Sequence, residues 1–306
     1  MSFIKKLILA VFTVLIVYTV YQYSLRPFLI NYKTNNVLKS TAPGYYEVDY
    51  YAVAEKFRKY AKDPGIAFKH GFNLKFHEIL ASIFLPILLQ ERMIDEYTNL
   101  SNESITLLKQ NIELEPYYLK NYIKIGNLYS SIASIDEHAA ENAAIYFEKA
   151  IEKSPGRQEL YILAAKAEVL SGQYQKALEN AKTGLILNPE YGEAYFWIGI
   201  SYIYKGKFKT GNKYIEKAGK EFNIETLAPN LKILAAVYRD TKQFKKTISL
   251  YLKILEFEPN DKETVAFLAG TYKEIGEKEK AREWALKLLE IAPGAKEQIQ
   301  EFLESL

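Results

Sequence analysis

Five of the ten prolines recur at a period of 34 residues, and this spacing constrains the fold more than any other feature of the 306-residue chain. They are Pro116, Pro155, Pro189, Pro259 and Pro293. The intervals between them are 39, 34, 70 and 34 residues, which are one or two periods with at most a few residues added. A fixed period of roughly 20 to 50 residues is typical of an array of repeated supersecondary units.

The segments between these prolines share one helical pattern. Large apolar residues surround a small residue at spacings i, i+3, i+4 and i+7, which places all four positions on one helix face. The four complete sets are Tyr122, Ile125, Gly126 and Tyr129; Tyr195, Ile198, Gly199 and Tyr202; Leu231, Leu234, Ala235 and Tyr238; and Val265, Leu268, Ala269 and Tyr272. A fifth set begins at Tyr161 and is interrupted by Glu168. The small residue lets a second helix approach closely, so the pattern predicts all-α helix pairs.

Together with the turn and the small residues of the second helix, this pattern resembles the tetratricopeptide repeat (TPR) family across residues 117–293. The resemblance implies an α-solenoid of about five to six helix pairs, of which residues 101–116 are a degenerate half. Residues 294–306 carry an apolar side and suit a C-terminal capping helix. Residues 47–100 are predicted to be helical without a clear repeat, and the role of that region stays open.

An apolar stretch at residues 7–25 follows Lys5 and Lys6. Nineteen helical residues span about 28 Å, which is close to the thickness of a bilayer core. Because the stretch lacks small residues at its end for signal cleavage, we expect residues 1–25 to be an uncleaved transmembrane anchor and residues 26–46 a stem. A cleaved signal peptide and a buried soluble helix are the alternatives. The short N-terminal tail favours a single-pass protein with its body outside the cytoplasm, although the basic flanks nearly balance.

Composition and motifs exclude several classes of function. The chain has no cysteine, and its net charge of +3 comes from the N-terminal 46 residues, which contain five basic residues and no acid. The remaining body is almost neutral, so we expect no nucleic-acid binding. The three histidines and the scattered carboxylates form no metal-binding or acid–base motif, and no phosphate-binding glycine loop is present. The sequence predicts a protein that is not an enzyme and binds no cofactor or metal.

A second stripe on each first helix predicts a partner-binding site. The TPR resemblance implies that this stripe faces a concave groove, since stacked helix pairs create such a surface. We predict that the groove is apolar at its centre and basic toward its C-terminal end. The predicted partner-binding residues are Ile162, Lys166, Val169, Phe196, Ile200, Ile203, Lys232, Arg239 and Lys273. The partner is then a protein or peptide with apolar anchors and an acidic or carboxylate end.

An alternative stays open for the apolar part of this site. The helix at residues 194–204 is apolar on every side. In the alternative, Phe196 and its neighbours are covered by the protein's own helices, including the apolar stretch at residues 79–89. At the level of function, we expect a membrane-anchored TPR adaptor that supports the assembly or trafficking of a membrane or envelope complex. The alternative is a permanent structural subunit of a membrane or cell-surface complex.

Overall fold

Twelve α-helices make up the part of the chain that the computed structural model describes, residues 94–223 and 228–306. These ranges contain no β-strand, so the all-α prediction is confirmed for them. None of their helices combines the length and apolarity that crossing a membrane requires. The predicted anchor at residues 7–25, the stem at 26–46 and most of the region 47–100 lie outside the described residues.

The chain divides into two compact units, residues 1–153 and 154–306. The described part of the first unit contains helices α1 (Ile94–Leu114), α2 (Leu119–Ser131) and α3 (Ala139–Lys153). The second unit begins with α4 (Gln158–Leu170), α5 (Tyr174–Leu187), α6 (Gly192–Tyr204) and α7 (Phe208–Phe222). It continues with α8 (Ala228–Asp240), α9 (Phe244–Phe257), α10 (Lys262–Glu274) and α11 (Lys278–Ile291), and ends in α12 (Lys296–Glu304). Helices α2 to α11 form five helix pairs, one in the first unit and four in the second.

Small residues hold the two helices of a pair close together, as the sequence predicts. A Cβ atom at Gly126 would lie 2.6 Å from the ring of Phe147 in the paired helix. At Gly199 it would lie 2.7 Å from the side chain of Ile215. Both distances are below van der Waals contact, so a larger residue would push the helices apart. Ala235 and Ala269 are buried at the matching positions of later pairs.

The turn inside each pair of the second unit repeats one backbone arrangement. An N–H donates to the carbonyl five residues earlier, as in Gln173 to Glu168 at 2.7 Å and Lys207 to Tyr202 at 2.9 Å. The same bond occurs in the other two pairs of this unit. This is the Schellman ending of a helix, which needs a residue in the left-handed region just before the bond donor. Gly172, Gly206 and Gly276 supply it, and Lys242 does so in the third turn with φ of 58°.

The proline period also has a structural basis. The hydroxyl of Tyr122 donates to the carbonyl oxygen of Pro116 at 2.8 Å. Tyr161 and Tyr195 donate in the same way to the prolines that precede them by six residues, at 3.0 and 3.3 Å. Proline ends the preceding second helix, and the tyrosine ties that end to the start of the next first helix.

The predicted cap at the C-terminus is present as α12. Ile299 is buried on its inner side and packs in a cluster with Ala269 and Ala285. The helix therefore covers apolar surface of the pair α10–α11.

Candidate partner-binding surface

Helix α6 is covered on nearly all sides, which answers why its sequence has no polar face. Its predicted packing stripe meets α7, where Tyr195 and Tyr202 both stack on Tyr214 with ring centroids 6.2 and 5.7 Å apart. On its other sides α6 contacts the first helices of the neighbouring pairs, α4 and α8. A helix that is apolar all round is a buried helix, and α6 fits that rule.

The five apolar residues of the predicted site lie in the core of the second unit. Ile162, Val169, Phe196, Ile200 and Ile203 belong to one buried cluster, and Phe196 is only 1% exposed. The expectation that they form an exposed groove lining is corrected by this burial, because the first helices pack side by side and cover each other's second stripe. The structure agrees with the alternative, in which the protein's own helices cover Phe196. The role of the nine residues in partner binding remains a prediction. The proposed binding site below includes only side chains that reach solvent.

All four predicted basic residues make contacts within the protein. Lys166 lies over the ring of Trp197, with Nζ 5.7 Å from the ring centroid. Lys232 forms ion pairs with Asp261 at 2.7 Å and with Glu258 at 3.2 Å. Burial would by itself lower the pKa of Lys232, but its hydrogen bonds to these two carboxylates raise that pKa above its ordinary value. Lys232 therefore fixes the loop before α10, and its charge is already neutralised.

Arg239 and Lys273 are half-buried, as Lys166 and Lys232 are. The guanidinium of Arg239 lies over Phe267, with its central carbon 4.7 Å from the ring centroid. Phe267 stacks on Tyr251 and is still 39% exposed. Lys273 lies over Phe302 at 5.0 Å and donates to the hydroxyl of Ser305 at 2.5 Å. Each cation is thus positioned by an aromatic ring and retains solvent access.

Gly270 leaves an open space beside these residues. No atom outside its own helix turn lies within 4 Å of the place where its Cβ would be. It occupies the position in α10 that Ile200 fills in α6. We define the Arg239 patch as Arg239, Phe267, Gly270 and Lys273. It combines an exposed ring, an open space and two cations, and it can accept an apolar side chain next to a carboxylate.

Asp240 is held next to this patch by a neighbouring helix. The hydroxyl of Tyr204 donates to Asp240 at 3.0 Å, and Arg239 contacts the other carboxylate oxygen at 3.3 Å. Burial first, and then the charge of Asp240, raise the pKa of Tyr204, so its phenol stays protonated as a donor. Tyr204 also stacks on Tyr174 at 4.6 Å. This chain of contacts fixes the orientation of Arg239 relative to α6.

Sequence reasoning missed Phe267 and Asp240. The prediction considered three positions of the second stripe in each first helix. Phe267 comes directly after one of these positions, Ala266, and Asp240 directly after another, Arg239. A signal was available for Phe267, since Trp197 occupies the equivalent position two repeats earlier. No comparable signal marks Asp240, because its role depends on a contact with a residue 36 positions away.

Comparison with known proteins gives one family match and several similar folds. Residues 263–294 match the model of the tetratricopeptide repeat family. No curated protein matches the sequence. A thermophilic TPR protein of Thermus thermophilus is 21% identical, with 61% of this chain and 97% of that chain covered and a TM-score of 0.47. YrrB, described as a TPR protein with an unusual peptide-binding site, is 19% identical, with 65% and 98% covered and a TM-score of 0.40.

The matched segment corresponds to one helix pair of the structure. The match covers most of α10 and all of α11, the last helix pair. The four earlier pairs share its closely packed small residues, and the three in the second unit also share its turn. The match to the tetratricopeptide repeat family is thus shown for residues 263–294, and the earlier pairs share the helix geometry of that segment.

Proposed function

We propose that this protein is a TPR scaffold that binds a protein or peptide partner at the Arg239 patch. The partner carries an apolar or aromatic side chain followed by an acidic residue or a terminal carboxylate. The observation that carries the proposal is the pairing of the 39% exposed ring of Phe267 with the guanidinium of Arg239, whose side chain is 31% exposed. Repeat proteins of this kind use the surfaces of stacked helices for binding.

The chemistry of the patch suits this partner. Arginine presents a planar fork of donors that matches a carboxylate, and stacking on a ring fixes its plane beforehand. Less rotational freedom is then lost when the partner binds. The space above Gly270 can receive the apolar side chain, and the ammonium of Lys273 stands one helical turn further on. Aromatic and arginine residues of this sort dominate the energetics of many interfaces.

We further propose that residues 7–25 tether the scaffold to a membrane, with the body outside the cytoplasm and the partner part of a membrane or envelope complex. Support comes from the length and apolarity of that segment. Membranes washed with carbonate should retain the full-length chain with its original N-terminus. Recovery of a soluble form that begins after residue 25 would contradict the tether and leave the binding site unaffected.

Synthetic peptides test the binding site directly. A peptide with one aromatic residue followed by acidic residues should bind the full chain, and binding is measured by fluorescence anisotropy. Reversing one charge, in Arg239→Glu or Lys273→Glu, should weaken binding by about tenfold or more, because the carboxylate then meets a like charge. A peptide in which the acids are replaced by amides should bind weakly to every form.

Lys213→Glu provides the matched control, since Lys213 is an exposed lysine on the second helix α7. This variant should bind the acidic peptide as the unchanged protein does. Equal loss in all three charge reversals would show that only net charge matters, and unchanged binding in Arg239→Glu would exclude the patch as the site.

A further inference from the structure

Two neighbouring turns of the second unit form an edge of unusual charge, which we call the basic edge and define as residues 205–209 and 240–246. These turns join the first and second helices of the middle two pairs of the unit. The hydrogen bond from Tyr204 to Asp240, 3.0 Å long, links the two helix ends and places the turns side by side. The edge adjoins the Arg239 patch through the contact between Arg239 and Asp240, but its lysines lie on the turns, whereas the patch uses the faces of α8 and α10.

Six lysines and one carboxylate occupy the basic edge. The lysines are Lys205, Lys207, Lys209, Lys242, Lys245 and Lys246, and the acid is Asp240. None of the six forms an ion pair with any residue of the ranges 94–223 and 228–306. Asp240 is already engaged by Tyr204 and Arg239. The edge is therefore a concentration of positive charge that the described protein leaves unneutralised.

Four of these lysines occupy positions that are energetically unfavourable for a lysine. Lys209, Lys245 and Lys246 lie in the first turns of α7 and α9, which contain no acidic residue. The start of a helix carries partial positive charge, so cations there are unfavourable. Lys242 adopts a φ of 58°, whereas glycine occupies the equivalent position in the other three turns of this unit. Strain at a non-glycine residue of this kind is often retained for function.

A cavity opens between the lysines of the second turn. Its volume is about 520 Å³, and its walls include Lys242, Lys245 and Lys246 together with the apolar side chains of Phe244 and Ile275. No carboxylate lines it. Burial lowers the pKa of Lys246, and its ammonium lies 4.7 Å from the ring centroid of Tyr238, so this group is partly desolvated. Phe208 and Ile275 are each 39% exposed near the ammonium groups.

We propose that the basic edge binds the headgroups of anionic phospholipids at a membrane surface. Lysines next to an anionic leaflet attract it through simple charge, whereas recognition of a single carboxylate usually employs the fork of arginine. The basic edge contains only lysine among its cations. Exposed Phe208 and Ile275 can enter the interface between headgroups and acyl chains, and the cavity can hold a phosphate next to apolar walls. The inference goes beyond the proposed function and does not depend on it.

Single-cysteine labelling can test this inference because the native chain contains no cysteine. Phe208→Cys carries an environment-sensitive dye at the edge. Ile186→Cys, near the far end of α5 and highly exposed, carries it at a control position. Both proteins contain the whole chain, so a tether at residues 7–25 affects them equally. Dye emission is measured with vesicles of phosphatidylcholine alone and with vesicles that also contain phosphatidylglycerol.

The dye at position 208 should respond only when phosphatidylglycerol is present, and raised salt should reverse the response because it screens exposed charges. The dye at position 186 should not change between the two vesicle types. Replacing Lys205, Lys207, Lys242 and Lys245 by glutamine should weaken the response at least about tenfold, since each lysine near such a surface contributes roughly fivefold. Lys213→Gln should leave it unchanged.

Three results would overturn the inference. The first is an equal response at position 208 with and without phosphatidylglycerol, and the second is an equal response at positions 186 and 208. The third is a response at position 208 to inorganic phosphate or polyglutamate without vesicles, which would assign the edge to a soluble anion or an acidic protein. Thermal unfolding of the four-lysine variant confirms that the second unit is intact. Peptide binding at the Arg239 patch is measured separately, so failure of either proposal can be recognised by itself.

Discussion

Helices α6 and α10 hold the same place in their helix pairs and have the same length, yet the second stripe is buried in α6 and open in α10. In α6 the second stripe consists of Phe196, Ile200 and Ile203, all of which are buried. In α10 the equivalent stripe is Ala266, Gly270 and Lys273, none of which is buried. Helix α6 contacts the first helices on both sides, α4 and α8, whereas α10 is the last first helix that the structure describes. The burial of the second stripe of a first helix therefore depends on which helices pack next to it.

The largest effect should come from placing charges on these two stripes. Phe196→Lys with Ile200→Lys buries two unpaired ammonium groups, which should cost more than about 5 kcal/mol and unfold the second unit. The matched variant, Ala266→Lys with Gly270→Lys, places the same side chains on the open stripe and should change the free energy of unfolding by less than about 1 kcal/mol. Chemical denaturation of both proteins measures the difference, and similar losses of stability would show that the α10 stripe is also covered.

A smaller effect should follow from enlarging the glycines that differ between the two helices. Gly199→Leu should cost about 1–3 kcal/mol because its side chain overlaps Ile215 of α7. Gly270→Ala fills open space within a helix and should stabilise the protein by up to about 1 kcal/mol. Thermal unfolding followed by circular dichroism should shift in opposite directions. A shift in the same direction would mean that the repeat phase of α10 is misassigned.

The turns after the first helices extend the comparison to the backbone. Lys242→Gly should stabilise the protein by about 0.5–1 kcal/mol, because glycine adopts the left-handed conformation without steric cost. Gly172→Lys in the first turn should destabilise it by a similar amount. Equilibrium denaturation in urea measures both changes. No gain in Lys242→Gly would mean that the lysine side chain makes a compensating contact.

The smallest effect concerns the ion pair at the start of α10. Burial by itself would raise the pKa of Asp261, but its hydrogen bonds to Lys232 and Thr264 hold that pKa below its ordinary value. A carboxyl with a depressed folded-state pKa contributes stability above its unfolded pKa of about 3.9 and loses it as the pH falls through the folded value. Asp261→Asn should therefore cost about 0.5–1 kcal/mol at neutral pH, since the pair is partly screened by solvent.

That cost should shrink as the pH is lowered from about 5 to below 4, where the unchanged protein loses the same interaction. Denaturation curves measured across this range provide the test. Glu290→Gln, which changes an exposed carboxylate on α11, serves as the control. A difference between Asp261→Asn and the unchanged protein that stays constant with pH would assign the effect to packing.

The helix pairs could be predicted from the sequence because the contacts that define them are local. The small residue at Gly126 or Gly199 and its partner in the next helix are separated by about half a repeat, so their spacing is visible as a period. The prolines and their tyrosine partners are six residues apart. The basic end of the predicted site was also visible, and two of its residues, Arg239 and Lys273, do reach solvent.

The tertiary structure alone decided which of the predicted site residues are accessible. The burial of Phe196, the ion pairs of Lys232 and the place of Asp240 depend on contacts between different repeats. Glu168 is a further example. It occupies the position at which other repeats have tyrosine, and it is buried. The side-chain amide of Asn180 donates a hydrogen bond to its carboxylate at 2.7 Å. A periodic sequence specifies how each helix meets its own partner, because that contact recurs in every repeat. It does not specify how many neighbouring helices cover the remaining faces, because that depends on the position of each repeat in the array.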